Sequence, residues 1–599
     1  MDRKAIVVLL VCFLLLLLSR PLVERIYPPV PAPAVTNAPA ATMPGGTSPG
    51  APAAAAASEP SISAPTDAPT TGWLRPEAPE QELAIENDEA RYLFTSHGGG
   101  LKSVELKDYR ATVNCRKNAE TNGAAFATLN LHTDVPALAL LGGPLMQDNV
   151  PYSLRREGDL AVAEKQLTNG LRLVKEFLTS TNHQLEVTLR IQNQTNAAVA
   201  VPPLELVIGT ASPMQKNEEE RFLGLQFYDG NKAQFISQAW FANRFMGCGP
   251  SSPRLVYRSE GVSNVVWAAV QNRFFTMIAA PESPAYQVVA RQTVLDWPEL
   301  QQGGGRPRSG YQASLVHPGT VIDPGGVIEW KVTLFAGPKE YNTLVRLGRN
   351  QDLAMNFTSF FGWFAKALLL SMNGLHGLGL AYGLAIIVIT IIIKLLFWPL
   401  TQASTRSMKR MQALQPQMKA LQEKYKDDPR KMNMKLMEFM KENRVSPLGG
   451  CLPILLQIPV FIGFYQMLQS AIELRGARFL WACDLSQPDT IAMIFGFPLN
   501  PLPLLMGASQ LWQTRMTPPS PGMDPVQQKM MQYMPLIFIF ILYNFPAGLA
   551  LYWTVQNLLS ILQMKLTKTA TVTTAPGGPA GAPVAVTKAA RKAGRKPRN

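Results

Sequence analysis

In the stretch AIIVITIIIKLLFWPL, Lys394 is the one charged residue, set among side chains suited to hydrocarbon. A charge inside such a run is expensive and marks a functional position by default. In a wet groove, its ammonium would attract a carboxylate on something passing by, because a lone charge in a low dielectric is poorly compensated. The plainer reading is snorkelling. Lys394 precedes Thr401 by seven residues, about 10 Å along a helix, so its amine could reach the membrane surface instead. Thr390 and Trp398 lie one helical turn to either side and would form a Thr–Lys–Trp stripe. Other apolar segments carry Gln457, Gln466 and Gln469, then Tyr552, Gln556 and Asn557. These groups could pair between helices or line a wet cavity. With Lys394 they define a candidate hydrophilic groove.

The remaining chemistry is sparse. The apolar half shows no P-loop, Gly-rich nucleotide motif or metal motif, which disfavours a coupled pump. Five cysteines (Cys12, Cys115, Cys248, Cys451, Cys483) show no CxxC or Cys/His spacing, so neither a metal nor a cofactor is expected. Pairing of Cys115 with Cys248 is left open by the sequence.

The elements that must position these residues fall into two unlike halves of a 599-residue chain. The composition expected is that of a multi-domain membrane protein. Residues 1–27 open with Arg3 and Lys4 before the apolar run Ala5–Leu18. Such a run is a signal peptide or a retained N-terminal transmembrane anchor, and the semi-apolar continuation through Val23 favours the anchor. Residues 28–74 are rich in Pro, Ala, Thr and Ser and read as an extended linker that cannot repay its ordering entropy. Residues 75–345 carry short alternating runs such as Leu171–Leu178 and Leu185–Ile191, with continuous ones at Val265–Ala269 and Phe274–Ala279. Gly/Pro punctuation between them predicts an all-β sandwich. It would serve as a structural or docking module. A sugar site is the sharper alternative, but His97, His132, His183 and His317 show no grouping that suggests acid–base work. Residues 346–378 place Phe357, Phe360, Phe361, Phe364 and Leu368 around Lys366, as an interfacial amphipathic helix would, or as a continuation into the next span would.

From 379 to 566, five core spans are expected: 379–400, 451–471, 491–511, 531–545 and 547–563. Between Arg406 and Arg444, eleven Lys/Arg face five Asp/Glu, whereas the Glu473–Asp489 connection is poor in bases. The positive-inside rule then puts the 401–445 loop and the 567–599 tail in the cytoplasm, with the N-terminus also inside and the β domain outside. The net charge of +14 thus follows position in the membrane, and DNA is not expected as a partner. Within 401–445, Met408, Met411, Leu414, Met418 and Leu421 recur at helical steps, Asp427-Asp428-Pro429 breaks the chain, and Met432, Leu436 and Met440 resume. The pattern predicts a helical hairpin kinked at Pro416, its methionine seam either packed on itself or offered to apolar partners. In the tail, Lys588, Arg591, Lys592, Arg595, Lys596 and Arg598 suit ribosomal RNA or anionic lipid, or act only as a topology determinant.

Four stretches carry a specific resemblance: KLLFWPLTQAS (394–404), SPLGGCLPILLQIPVFIGFYQML (446–468), DPVQQKMMQYMP (524–535) and FPAGLALYWTVQNL (545–558). In order and spacing they resemble YidC-family insertases of Gram-negative type over about residues 350–566, with a matching anchor, linker and β domain ahead of them. The resemblance implies five core helices around a hydrophilic groove open to cytoplasm and lipid, and a β-supersandwich without enzymatic activity. It implies nascent membrane proteins as substrates in the bacterial inner membrane, the Sec translocon as partner, and insertion without nucleotide. The family's groove base, often Arg, falls on Lys394, its threonine on Thr390, and its aromatic pair on Tyr552 and Trp553, the second commonly Tyr. Both departures keep charge or aromaticity. Short last spans of about 15 and 17 residues would thin the bilayer locally. A scaffold for membrane-complex assembly and a small-solute transporter are the alternatives.

Overall fold

The computed structural model describes residues 72–113, 125–143, 146–215, 218–243, 252–297, 307–357, 361–443, 452–516, 533 and 536–567. The expected anchor, most of the linker, the basic cluster of the tail, and Cys12, Cys115, Cys248 and Cys451 lie outside them; Cys483 is disulfide-bonded. The chain divides into two compact units between Asn356 and Phe357.

The first unit is β-rich. Its largest sheet has nine antiparallel strands, ordered Ala233–Ser237, Gly224–Tyr228, Trp267–Gln271, Phe275–Pro281, Val327–Pro338, Gln184–Asn193, Leu171–Thr179, Leu160–Gln166 and Ser153–Glu157. A five-stranded antiparallel sheet, with Leu204–Ala211 and Ser309–His317 near its centre, packs on the Gly224–Tyr228 half of it. The alternation read from Leu171–Thr179 is real: every second residue from Leu171 to Phe177 is buried. Phe275–Pro281 is buried on both faces, as its nearly continuous apolar run predicts.

The β unit extends past the expected boundary at 345. After the short helix Tyr341–Arg346, Gly348, Arg349 and Asn350 take positive φ, which stops the helix. The following turn is tied back onto the sheet. Trp267 Nε1 donates to the Arg349 carbonyl at 3.0 Å, and Gln226 Nε2 to the Leu353 carbonyl at 2.7 Å. The expected helix over 346–378 therefore shortens at its start.

The second unit is helical; among the described residues its helices include α1 (Gly362–Gly377), α2 (Tyr382–Leu396), α3 (Trp398–Ala413), α4 (Gln415–Lys424), α5 (Pro429–Glu442), α6 (Leu452–Ser470), α7 (Pro501–Met516) and α8 (Ala547–Leu566), and residues 536–542 are also helical. α1 packs on α6 and α2; Gly463 makes room for it, since a Cβ there would meet the Phe364 ring at 2.4 Å. α8 packs on α7, α2 and α6.

Three expectations about the spans change. The run 379–400 is broken at Phe397, where α2 and α3 bend by 65°. Pro399 explains the break: it has no N–H for the Leu395 carbonyl and its ring crowds that turn. Trp398 therefore belongs to the next helix, and the stripe ends at Lys394. The run 491–511 opens with a β-hairpin, Ala492–Ile494 paired with Phe497–Leu499, and turns helical only at Pro501. The last helix runs past its apolar stretch, over 20 residues or about 30 Å, and takes in Lys565 in its last turn. Among the described residues no single helix is both long and apolar enough to cross a membrane; the bent pair α2–α3 is, by length and composition.

The hairpin of α3, α4 and α5 closes its seam on itself: Met411, Leu414 and Met418 pack with Leu436 and Met440. The kink expected at Pro416 falls at Leu414, between α3 and α4, with the proline in the first turn of α4. Asp428 caps α5 by accepting from the Lys431 N–H at 3.1 Å.

Candidate functional site

The site is assembled on α8. Its polar residues Tyr552, Gln556, Ser560 and Gln563 recur at steps of four, four and three, which sets them along one side of the helix. Between them they meet three neighbouring helices.

Gln556 Nε2 donates to Gln457 Oε1 at 2.8 Å, and Gln457 Nε2 donates to the Tyr552 hydroxyl, giving a chain of amide and phenol groups between α8 and α6. Tyr552 is held flat on Phe464, ring centroids 4.3 Å apart. Toward α7, Trp553 Nε1 donates to Gln510 Oε1 at 3.0 Å and Asn557 Nδ2 to Ser509 Oγ at 3.0 Å. Toward α2, Lys394 Nζ donates to Ser560 Oγ at 2.8 Å, and the Ser560 hydroxyl in turn donates to the Gln556 carbonyl at 2.8 Å. At the foot of the helix, Gln563 Nε2 reaches Thr401 Oγ1 at 2.7 Å, and Lys409 Nζ reaches the Thr567 carbonyl at 2.6 Å.

All seven residues expected from the sequence are described, and α8 joins most of them. Gln457, Tyr552 and Gln556 form one chain, and Lys394 meets its next turn through Ser560. Lys394 is 6% exposed, whereas Ile392, Leu395 and Leu396 on the other sides of α2 are open. The amine is thus turned into the bundle and does not run along the outside of its helix, as snorkelling requires. Thr390 is fully buried but stands apart: its hydroxyl donates to the Ile386 carbonyl at 2.6 Å, on its own helix. Lys588, Arg591, Lys592, Arg595, Lys596 and Arg598 lie outside the described residues.

Sequence reasoning missed Ser560, Gln563, Thr401, Ser509 and Gln510. A serine or threonine in an apolar helix is unremarkable alone, since its hydroxyl bonds back to its own backbone. The signal available was the stripe on α8, which places Ser560 and Gln563 in line with Tyr552 and Gln556.

Among the described residues no group of His, Cys, Asp and Glu is arranged to hold a metal. The arrangement offers donors and acceptors without a nucleophile–base pair: it can hold water or a polar peptide segment.

Two family descriptions match the chain in sequence order, the YidC periplasmic domain over residues 82–370 and the 60Kd inner membrane protein over residues 374–574. A membrane protein insertase YidC from Syntrophus aciditrophicus is 32% identical over 578 residues, covering 94% of this chain and 98% of the relative. The one from Pelobacter propionicus is 32% identical, covering 84% and 91%. The crystal structure of an active YidC insertase with its first transmembrane domain resolved covers 82% of this chain and 93% of its own, at 17% identity and a TM-score of 0.33, a superposition too loose to carry a fold argument. Matched over nearly its whole length by relatives of this kind, the chain belongs to the YidC family of membrane protein insertases, which are not enzymes.

Proposed function

We propose that this chain passes the polar flank of a substrate's apolar segment across a groove built along α8, with Lys394 as its one charged contact. Gln457, Tyr552, Trp553, Gln556, Asn557 and Thr390 line or shape that groove, and Ser560 is added to them. The observation that carries the reading is the bonding of Lys394. A lysine ammonium has three N–H donors, and among the described residues its hydrogen-bond partner is a single hydroxyl, Ser560 Oγ. Two donors are left for water or for a passing carbonyl or carboxylate. A groove wet by such groups lowers the desolvation cost of a substrate's hydrophilic flank, and the apolar segment then leaves sideways into lipid, driven by its own transfer energy. No nucleotide is needed.

The same reading places both termini and the basic α3–α5 hairpin in the cytoplasm and the β unit in the periplasm, from the asymmetry of basic residues. Action alone or beside the Sec translocon, and contact of the Lys588–Arg598 cluster with ribosomal RNA or anionic lipid, belong to this proposal. In proteoliposomes of the purified chain, a short single-span substrate should become protected and carbonate-resistant without nucleotide. A scaffold or solute transporter would leave it unprotected.

A further inference from the structure

Between α6 and α7 the chain builds two turns that each present a bulky apolar residue in a left-handed conformation. Leu480 has φ 52° and is 74% exposed; Phe495 has φ 50° and is fully exposed. Phe495 and Gly496 (φ 80°) form the two-residue loop of the hairpin in which Ile494 pairs with Phe497. Both loop positions need positive φ, so Asn, Asp or Gly is the usual first residue. A phenylalanine there is an outlier whose side chain packs on nothing in the unit. All seven residues from 491 to 497, IAMIFGF, are exposed.

The base of this hairpin is nevertheless firmly held. Thr490 Oγ1 donates to Asn500 Oδ1 at 2.6 Å, the Tyr543 hydroxyl donates to the Pro498 carbonyl at 2.6 Å, and Phe497 packs on the Tyr543 ring at 5.1 Å. Asp489 Oδ2 accepts from both Trp481 Nε1 and the Leu502 N–H, which fixes the 480–481 turn beside the hairpin. A rigid base under an exposed apolar tip is built for contact. Continuity and charge identify the occupant. Residues 490–514 contain no charged side chain, and the open apolar surface continues onto Leu504 and Leu505 of α7 and onto Ile537 and Phe540 behind Tyr543. In a membrane insertase that helical surface faces lipid, and Trp481, 44% exposed, is the residue type favoured at the interface.

We infer that the 491–499 hairpin is a bilayer-dipping wedge: Phe495 and its neighbours, with Leu480 and Trp481 beside them, insert among the outer parts of the lipid acyl chains. Insertion is shallow, because a two-stranded hairpin has unpaired N–H and C=O groups on both edges and hydrocarbon cannot satisfy them. The inference rests on the membrane placement of α6 and α7 and goes beyond the proposed insertion route.

The test uses the full-length chain carrying an environment-sensitive fluorescent amino acid at position 495, and separately at 493, with position 294 of the β unit as aqueous control. Each protein is placed at one copy per nanodisc, with nitroxide-labelled lipids or aqueous iodide as quenchers, and insertion activity is measured on matched proteoliposomes. At 495 and 493, a nitroxide near the glycerol backbone should quench about twofold or more better than one near the acyl methyl end, as shallow interfacial insertion requires, and iodide should quench weakly. Iodide quenching equal to that at 294 overturns the wedge. Protection from both quenchers also overturns it, since protein rather than lipid then covers the tip. Active protein with a water-exposed tip defeats this inference alone; an inactive protein with a lipid-quenched tip defeats the insertion route alone.

Discussion

Each unit of this chain buries a lysine, and the two are satisfied in opposite ways. In the β unit, Lys175 is 1% exposed, and its amine donates to the Gly98 and Leu138 carbonyls, both at 2.7 Å, while lying 4.9 Å from the centre of the Tyr152 ring. That lysine is finished: it ties two loops to the nine-stranded sheet and has nothing to offer a ligand. Lys394 is buried almost as deeply, yet among the described residues it bonds to one hydroxyl, Ser560. Burial alone therefore does not tell the two apart; unspent donor capacity does.

The largest expected effect breaks the comparison at its structural end. Lys175→Met leaves two buried carbonyls unpaired and should destabilise residues 72–356, expressed alone, by about 3 kcal/mol in urea unfolding. Lys394→Met forfeits a single hydroxyl contact, so thermal unfolding in detergent should show a loss within about 1 kcal/mol. Equal losses would remove the distinction.

Next in size is a pH effect confined to the β unit. Burial pushes Lys175 down to about 7, with the neighbouring Lys165 charge adding to it, and burial likewise pushes Lys339 down to about 7. Above pH 7 the folded lysines shed a proton that their unfolded forms keep up to about 10.5. The unfolded state then binds more protons, so stability rises with pH from about 7 toward 10.5 and is lost as pH falls back through 7. A titration of the urea midpoint should show this rise, and Lys175→Met should flatten part of it. A midpoint falling over that window would contradict the assignment.

Smaller again is Tyr552→Phe, which leaves the Gln457 N–H without its acceptor. It should cost about 1 kcal/mol in detergent and slow insertion of all substrates alike, because it changes the groove wall and not its charge.

Lys394 was legible in the sequence because no other charge interrupts its apolar run, and the β strands were legible wherever alternation was strict, as at Leu171–Thr179. The hairpin at 491–499 was not. A short apolar run reads equally as helix or strand, and Gly496, Pro498 and Pro501 were the only hints that this one turns back on itself. Ser560 was missed for a related reason: it matters through its place on α8, one turn beyond Gln556, which only the packing of α2 against α8 gives meaning.

The central claim is that the spare donors of Lys394 serve passing substrates. Its most direct test is the insertion yield, at equal protein abundance, of two matched single-span substrates whose translocated tails carry Asp or Asn. With Lys394→Glu, a carboxylate replaces the ammonium where acidic flanks pass, and like charges in a low dielectric repel. The Asp-tailed substrate should lose yield about tenfold more than the Asn-tailed one, a difference of about 1.4 kcal/mol, and Lys394→Arg should keep both. If Lys394→Glu lowers both yields by the same factor, Lys394 only hydrates or anchors its helix, and the account of its charge is wrong.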